Sequence, residues 1–280
     1  MLRLALIGRP VSHSRSPAMM RAALDSLGIE GVYTAFEVAP ERLGDAVRGL
    51  DALGFDGANV TLPHKSAVIE HLARTDATAR LIGAVNTLAR EGDALVGSNT
   101  DVEGLLGALR AHGADPRGGD VVVLGAGGAA RAAAVGVARG RAIGGGARAQ
   151  RASPRATSRD RIAVWRCAAH GHTLGTPESA RALEGATLVI QATSCGMVGG
   201  GPTDALLAGA PLERCRRETV AMDLVYVPAV TAWMDAANAA GLRVLAGAGA
   251  EMLARQGAVA LRRWSGREPP LDVMRAALGL

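Results

Sequence analysis

VVVLGAGGAARAAA, residues Val121 to Ala134, reads as a buried strand (Val121 to Leu124), a glycine turn and the start of an alanine-rich helix. Gly125, Gly127 and Ala130 fit the G-x-G-x-x-G/A spacing that opens a dinucleotide-binding βαβ unit. The first glycine makes the turn, and the second lets the backbone approach a pyrophosphate. The small third residue lets the helix pack closely on the strand. A tight turn of this kind can be purely structural, but a strand before it and a helix after it favour a dinucleotide. The candidate cofactor-binding residues of the turn are Gly125, Ala126, Gly127, Gly128 and Ala129.

The residues downstream of the turn bear on which cofactor is held. An NAD site needs an acidic residue roughly 20 positions on, for the ribose hydroxyl. Between Asp120 and Asp160 there is none; the stretch carries Arg131, Arg139, Arg141, Arg148, Arg151, Arg155 and Arg159. Arginines suit a 2′-phosphate, so NADP (NADPH) is the expected cofactor, unless they are simply solvated.

Outward from the turn, short apolar runs alternate with helical stretches. Leu2 to Gly8, Val32 to Val38 and Gly57 to Val60 read as strands, with helices at Pro17 to Leu27 and Pro40 to Leu53. A helix at Val102 to His112 leads to the second series, with further strands at Leu188 to Ala192 and Val220 to Leu224. Helices at Gly249 to Trp264 and Leu271 to Leu280 end the chain. This order implies an α/β fold with mostly parallel sheets, in two domains hinged near residue 102.

Composition narrows the function classes. With 49% hydrophobic and only 2% aromatic residues, the chain suits an α/β core of small side chains. It offers almost nothing for bases to stack on, so nucleic acid is not expected despite the charge of +5. No apolar run reaches membrane-spanning length, and MLRLALIG is too short for a secretory core. Cys167, Cys195 and Cys215 are odd in number and lack metal-like spacing, so a cytoplasmic location is expected and no disulfide framework. The His170/His172 pair lacks a third ligand, so no metal is expected.

Of the 31 basic residues, Lys65 is the single lysine, set in NVTLPHKSAV (Asn59 to Val68). Lysine and arginine are alike as solvated charges, but only lysine can release its proton near neutral pH. Lys65 is therefore a candidate for proton transfer, where arginine cannot substitute. In VSHSRSPAMM (Val11 to Met20), Ser16 precedes Pro17 and suits a helix N-cap, with proline at the first helical position. Ser14 would add a second hydroxyl at the same terminus, an anion-binding device. GSNTDVEGL (Gly97 to Leu105) supplies Asn99, Thr100 and Asp101. Asp101 or Thr100 could cap the following helix, or Asp101 could orient Lys65. Three of the four asparagines, Asn59, Asn86 and Asn99, lie beside these motifs and suit a polyhydroxylated ligand.

Taken together, the motifs resemble the shikimate dehydrogenase family over nearly the whole chain. GRPVSHSRSP resembles its carboxylate-binding motif, NVTLPHKSAV its catalytic-lysine segment, and GAVNTL and SNTDVEG the segments bearing Asn86 and Asp101. GAGGAA, ATSCGM, DLVYVPAVT and GAEMLARQGAVAL follow in the family's order. The resemblance implies reversible NADPH-dependent reduction of 3-dehydroshikimate to shikimate. It implies Lys65 and Asp101 as catalytic residues, with Ser14, Ser16, Thr61, Asn86, Tyr226 and Gln256 on substrate. It adds Arg151, Thr193, Leu224 and Gly249 to the cofactor set. Residues 1–101 and 244–280 would form the substrate-binding domain, and 102–243 a Rossmann-type, doubly wound dinucleotide-binding domain. The partner is a small-molecule substrate, with a homodimer as the assembly allowed for. The alternatives are an NAD-dependent quinate/shikimate dehydrogenase and a non-catalytic shikimate-binding homologue.

One stretch departs from the family. Arg139 to Gly171 lacks helical or strand periodicity. Ala142 to Ala149, where a strand belongs, has three consecutive glycines and one β-branched residue. An arginine-rich reading in the wrong frame would produce such a run, as would divergence in a surface strand and loop. Within it, Arg151 is the candidate for the 2′-phosphate.

Overall fold

The computed structural model describes residues 1–142, 163–166 and 170–280. The chain folds as two compact units, Met1–Gly104 with Leu253–Leu280, and Leu105–Met252. Among the described residues, no helix is long and apolar enough to cross a membrane.

In the first unit, β1 (Leu2–Gly8) has α1 (Ser16–Ser26), β2 (Gly31–Glu37), α2 (Leu43–Ala52) and β3 (Gly57–Val60) after it. β2 and β3 both pair parallel to β1. Then come β4 (Arg74–Thr75), α3 (Ala77–Ile82), β5 (Thr87–Glu91), β6 (Ala94–Ser98) and α4 (Asp101–Ala111), which runs on into the second unit. The sheet order is β2-β1-β3-β5-β6-β4 among the described residues. It is mixed rather than mostly parallel, because β5 runs antiparallel to β3 and β6 turns back antiparallel to β5 in a hairpin, with Gly92 at φ +64°. A two-residue connection joins only antiparallel strands.

Alternation along β1 sends Leu4 and Leu6 to one face, and Ala5 and Ile7 to the other. The first pair packs with Met19, Met20 and Leu24 of α1. Leu261 and Trp264 of α9 (Ala248–Ser265) and Met274 and Leu278 of α10 (Leu271–Leu278) complete that core. The second pair packs with Leu43, Val47 and Leu50 of α2 and with Val60. A strand covered on both faces reads as a continuous apolar run, as LRLALIG does. Trp264 sits so close over β3 that a Cβ at Gly57 would fall 2.0 Å from its Nε1, which donates to the Leu88 carbonyl at 2.8 Å.

The second unit opens with β7 (Asp120–Leu124) and α5 (Gly128–Ala142), as the glycine motif predicts. It continues through β8 (Ala163–Arg166), β9 (His170–Thr173), α6 (Pro177–Glu184), β10 (Ala186–Gln191), α7 (Asp204–Gly209), β11 (Val220–Asp223), α8 (Ala232–Ala239) and β12 (Arg243–Val244). The order among the described residues is β12-β11-β10-β7-β8-β9. β12, β11, β10 and β7 are parallel, the Rossmann-type half of the sheet. Beyond β7 the sheet departs from the fully parallel expectation, since β8 runs antiparallel to β7 and β9 antiparallel to β8. Three residues separate β8 from β9, far too few for a parallel crossover. Val121 and Val123 face α4 and α5, while Val122 and Leu124 face Leu183, Leu206 and Trp233 of α6, α7 and α8.

Candidate active site

Lys65 lies just past β3, and Asp101 is the first residue of α4. Lys65 Nζ donates to Asp101 Oδ2 at 2.7 Å, with the carboxylate side chain 5% exposed and the lysine 19%. The Asp101 main-chain N–H donates to Asn99 Oδ1 at 3.0 Å, so Asn99 satisfies one of the free N–H groups at the start of α4. The Asp101 carboxylate is thus left for the lysine, while the helix terminus favours its negative charge. Its other oxygen, Oδ1, accepts from Asn86 Nδ2 at 2.8 Å. A buried carboxylate is tolerable when it is paired and hydrogen-bonded in this way.

Asn86 is held from several sides. Its Oδ1 accepts from the Thr100 main-chain N–H at 2.8 Å, and its Nδ2 lies 3.3 Å from Gln256 Oε1. Gln256, on α9, donates from Nε2 to the Leu253 carbonyl at 3.0 Å. Lys65, Asn86, Asp101 and Gln256 therefore form one polar cluster. Thr100, read from sequence as a helix cap, belongs to it too.

Ser14, Ser16 and Thr61 lie beyond the C-terminal ends of the parallel neighbours β1 and β3, the usual ligand side of such strands. The capping expectation for Ser16 is corrected. Helix α1 begins at Ser16, so Arg15 is the N-cap and no side chain caps it. Ser14 Oγ accepts the Ser16 main-chain N–H at 3.3 Å. Arg15 reaches away, donating to the Leu278 carbonyl at the end of α10 at 2.8 Å. Thr61 crowds Gly8, where a Cβ would fall 2.2 Å from the threonine methyl. His64 is buried, with Nε2 2.7 Å from the Val38 carbonyl, and so fixes the turn that leads to Lys65.

In the second unit the glycine turn leaves β7 at Gly125, whose φ of +133° suits glycine. A Cβ there would fall 3.0 Å from the Ala192 carbonyl and 3.3 Å from Ala130 Cβ, so strand, turn and helix approach closely. At Gly127 a Cβ would meet nothing within 4 Å, leaving open space over that backbone. Ala126, Gly128 and Ala129 complete the turn into α5, and Arg131 on that helix donates back to the Ala126 carbonyl at 3.1 Å. Burial lowers the Arg131 pKa. The turn and the helix N-terminus fit the pyrophosphate of a dinucleotide.

Thr193 follows β10, and Leu224 and Tyr226 follow β11, so all three share the ligand side of the parallel strands with the glycine turn. Gln191 Oε1 accepts the Thr193 main-chain N–H, and Thr193 Oγ1 accepts that of Cys195 at 3.1 Å. Asp223 ties the next loop: it accepts from the Val225 main-chain N–H at 2.9 Å and from the Thr231 hydroxyl at 2.6 Å. Burial nevertheless pushes its carboxyl up to about 6. A Cβ at Gly249 would fall 2.6 to 3.0 Å from the carbonyls of Asp223, Leu224 and Val225, so only glycine lets α9 start there. Arg151 lies outside the described residues, as do residues 143–149 of the questioned strand. Sequence reading did not single out Gln191 or Asp223; each is a polar residue at the end of a predicted strand, the one signal that could have marked them.

Residues 6–88 match the Shikimate dehydrogenase substrate binding domain, and residues 249–278 the Shikimate 5'-dehydrogenase C-terminal domain. The chain is 41% identical to the Shikimate dehydrogenase (NADP(+)) of Geobacter sulfurreducens, over 98% of this chain and 95% of the relative. It is 42% identical to the Methanopyrus kandleri protein of the same name, over 98% and 93%. Among solved structures, Shikimate 5-Dehydrogenase from Thermus thermophilus, in complex with NADP(H) and shikimate, matches with a TM-score of 0.75. That match has 34% identity over 100% of this chain and 99% of the other. On full-length sequence identity and on fold, the chain belongs to the shikimate dehydrogenase family.

Proposed function

We propose that the chain is an NADP-dependent oxidoreductase that reversibly reduces 3-dehydroshikimate to shikimate, as its relatives' names indicate. The observation that carries this reading is the contact between Lys65, the single lysine, and the buried Asp101 carboxylate. Met1–Gly104 with Leu253–Leu280 binds the substrate, and Leu105–Met252 binds the dinucleotide.

Bound NADPH supplies a hydride to the ring carbonyl carbon, and the carbonyl oxygen then requires a proton. Lys65 donates that proton in reduction and accepts it from the hydroxyl in oxidation, while Asp101 holds the amine in place. Ser14 and Ser16 hold the substrate carboxylate through their hydroxyls. Thr61, Asn86 and Gln256 hold the ring hydroxyls, and Tyr226 is assigned a substrate contact. The dinucleotide would be held by Gly125, Ala126, Gly127, Gly128 and Ala129, with Leu224 and Gly249 at the nicotinamide and Thr193 in the same cofactor set. Arg151 is assigned to the 2′-phosphate. The compartment is the reducing cytoplasm, which the free thiols of Cys195 and Cys215 suit.

The test is nicotinamide absorbance on mixing the purified chain with 3-dehydroshikimate and NADPH, and then NADH, with quinate and NAD as the reverse pair. Rapid loss with NADPH and little with NADH is expected. Turnover favouring quinate and NAD would replace this reading with the quinate/shikimate alternative. No turnover in a folded chain that binds shikimate would leave only a binding role.

A further inference from the structure

A row of buried side chains runs from the edge strand β2 to the Asp101 carboxylate, and main-chain groups settle the direction of its hydrogen bonds. The Asn86 main-chain carbonyl can only accept, so it is the Asn59 side-chain nitrogen that faces it, at 3.2 Å. The same nitrogen donates to Thr87 Oγ1 at 3.2 Å. The Thr100 main-chain N–H can only donate, so Asn86 presents its oxygen there. Thr87 Oγ1 lies 2.9 Å from that oxygen; having accepted from Asn59, it donates to Asn86. At the far end the Tyr33 hydroxyl donates to Asn59 Oδ1 at 2.7 Å. At the near end Asn86 Nδ2 donates to Asp101 Oδ1 at 2.8 Å.

Tyr33, Asn59, Thr87 and Asn86 thus each donate toward Asp101, and none of the four is more than 6% exposed. The strands enforce the order, since Asn59 of β3 and Thr87 of β5 are direct partners in the antiparallel ladder. Aligned hydrogen bonds in a dry interior polarise one another, so a link removed upstream is felt at the end of the row. A pair of core polar partners kept only for packing could both give way to apolar side chains of similar shape at little cost.

We infer that Thr87, Asn59 and Tyr33 are positioning residues for the reaction. They hold the Asn86 amide so that Asn86 and Lys65 each engage one oxygen of Asp101. The inference rests on the proposed role of Lys65 and Asp101 in proton transfer.

The test compares shikimate oxidation by the wild-type chain with that of Thr87→Val, Thr87→Ser, Tyr33→Phe and the Thr87→Val/Tyr33→Phe double variant. Thr87→Val should lower kcat about tenfold with KM for shikimate within about twofold, and Thr87→Ser should recover most of the loss. Tyr33→Phe should lower kcat about threefold alone and add little in the Thr87→Val background, because the side-chain row is then cut and only the Asn59 bond to the Asn86 main-chain carbonyl remains. The inference is overturned if Thr87→Ser is as slow as Thr87→Val, if the two losses add, or if kcat is unchanged. Should Thr87→Val fail to fold, Tyr33→Phe decides: lower kcat at constant KM supports the row, and unchanged kcat overturns it. A folded wild-type chain without turnover overturns the reading of the Lys65–Asp101 pair itself, an outcome distinct from any difference among the variants.

Discussion

Lys65 Nζ and Asp101 Oδ2 stand 2.7 Å apart although 36 positions separate them in the chain. The pair joins the turn after β3 to the first residue of α4. An arginine at position 65 would keep the ion pair but could not release its proton near neutral pH. Lys65→Arg is therefore expected to melt near the wild-type temperature while kcat falls by about 10² to 10⁴. Steady-state kinetics beside a thermal melt checks this, and near-normal turnover would refute proton transfer by Lys65.

The two turn glycines should separate folding from cofactor binding. Gly125→Ala places a side chain at φ +133° and against the Ala192 carbonyl, so a loss of about 1–3 kcal/mol in stability is expected. Gly127→Ala meets no protein atom within 4 Å, so stability should hold. Its methyl would instead occupy space reserved for the pyrophosphate, raising KM for NADPH about tenfold. Equal melting temperatures for the two variants would contradict this division.

Asp223 should give stability a distinctive pH dependence. Its folded pKa is about 6 against an ordinary value of 3.8. Between those values the folded chain holds a proton at Asp223 that the unfolded chain has released. Stability from this group therefore falls as pH rises through the window, and the fall is complete above about pH 6. Asp223→Asn removes the titration. The wild-type melting temperature minus that of the variant should drop between pH 4 and 6 and level off by pH 7. A constant difference across that range would show that the carboxyl does not titrate there.

Gly57 lies beneath the indole of Trp264. A methyl at that position would displace the ring and break its hydrogen bond to the Leu88 carbonyl. Gly57→Ala should cost about 2–4 kcal/mol, combining overpacking with the lost hydrogen bond. Urea unfolding measures it, and a cost under about 1 kcal/mol would mean that the indole relocates freely.

The periodic elements were legible from sequence. β1 and β3 fall where Leu2 to Gly8 and Gly57 to Val60 predict, because apolar runs and turn residues mark them locally. The β5–β6 hairpin was not, because TLARE and ALVGS are short and its turn, Gly92-Asp93, falls between Val60 and Val102, where no strand or helix was expected. The antiparallel course of β8 is a pairing choice that no local pattern encodes. Within the site, Lys65 announced itself by its rarity and Asp101 by its place before a helix. Thr87 did not, and Thr100 was read only as a possible cap, since their place in the cluster comes from β3, β5 and the start of α4 meeting in space. Gln256 was reached only through family resemblance, for nothing in GAEMLARQGAVAL distinguishes a glutamine that meets Asn86 from one in solvent.

The discontinuous make-up of the first unit has a consequence for synthesis on the ribosome. Besides α1, Leu4 and Leu6 are covered by Leu261, Trp264, Met274 and Leu278, which emerge only after Leu105–Met252. Leu105–Met252 is contiguous and can close its own cores while the chain is still growing. The amino-terminal sheet must wait with that face covered by α1 alone through the translation of everything between. During that interval its partly covered face is open to misassociation, although it is made before the unit that can close ahead of it.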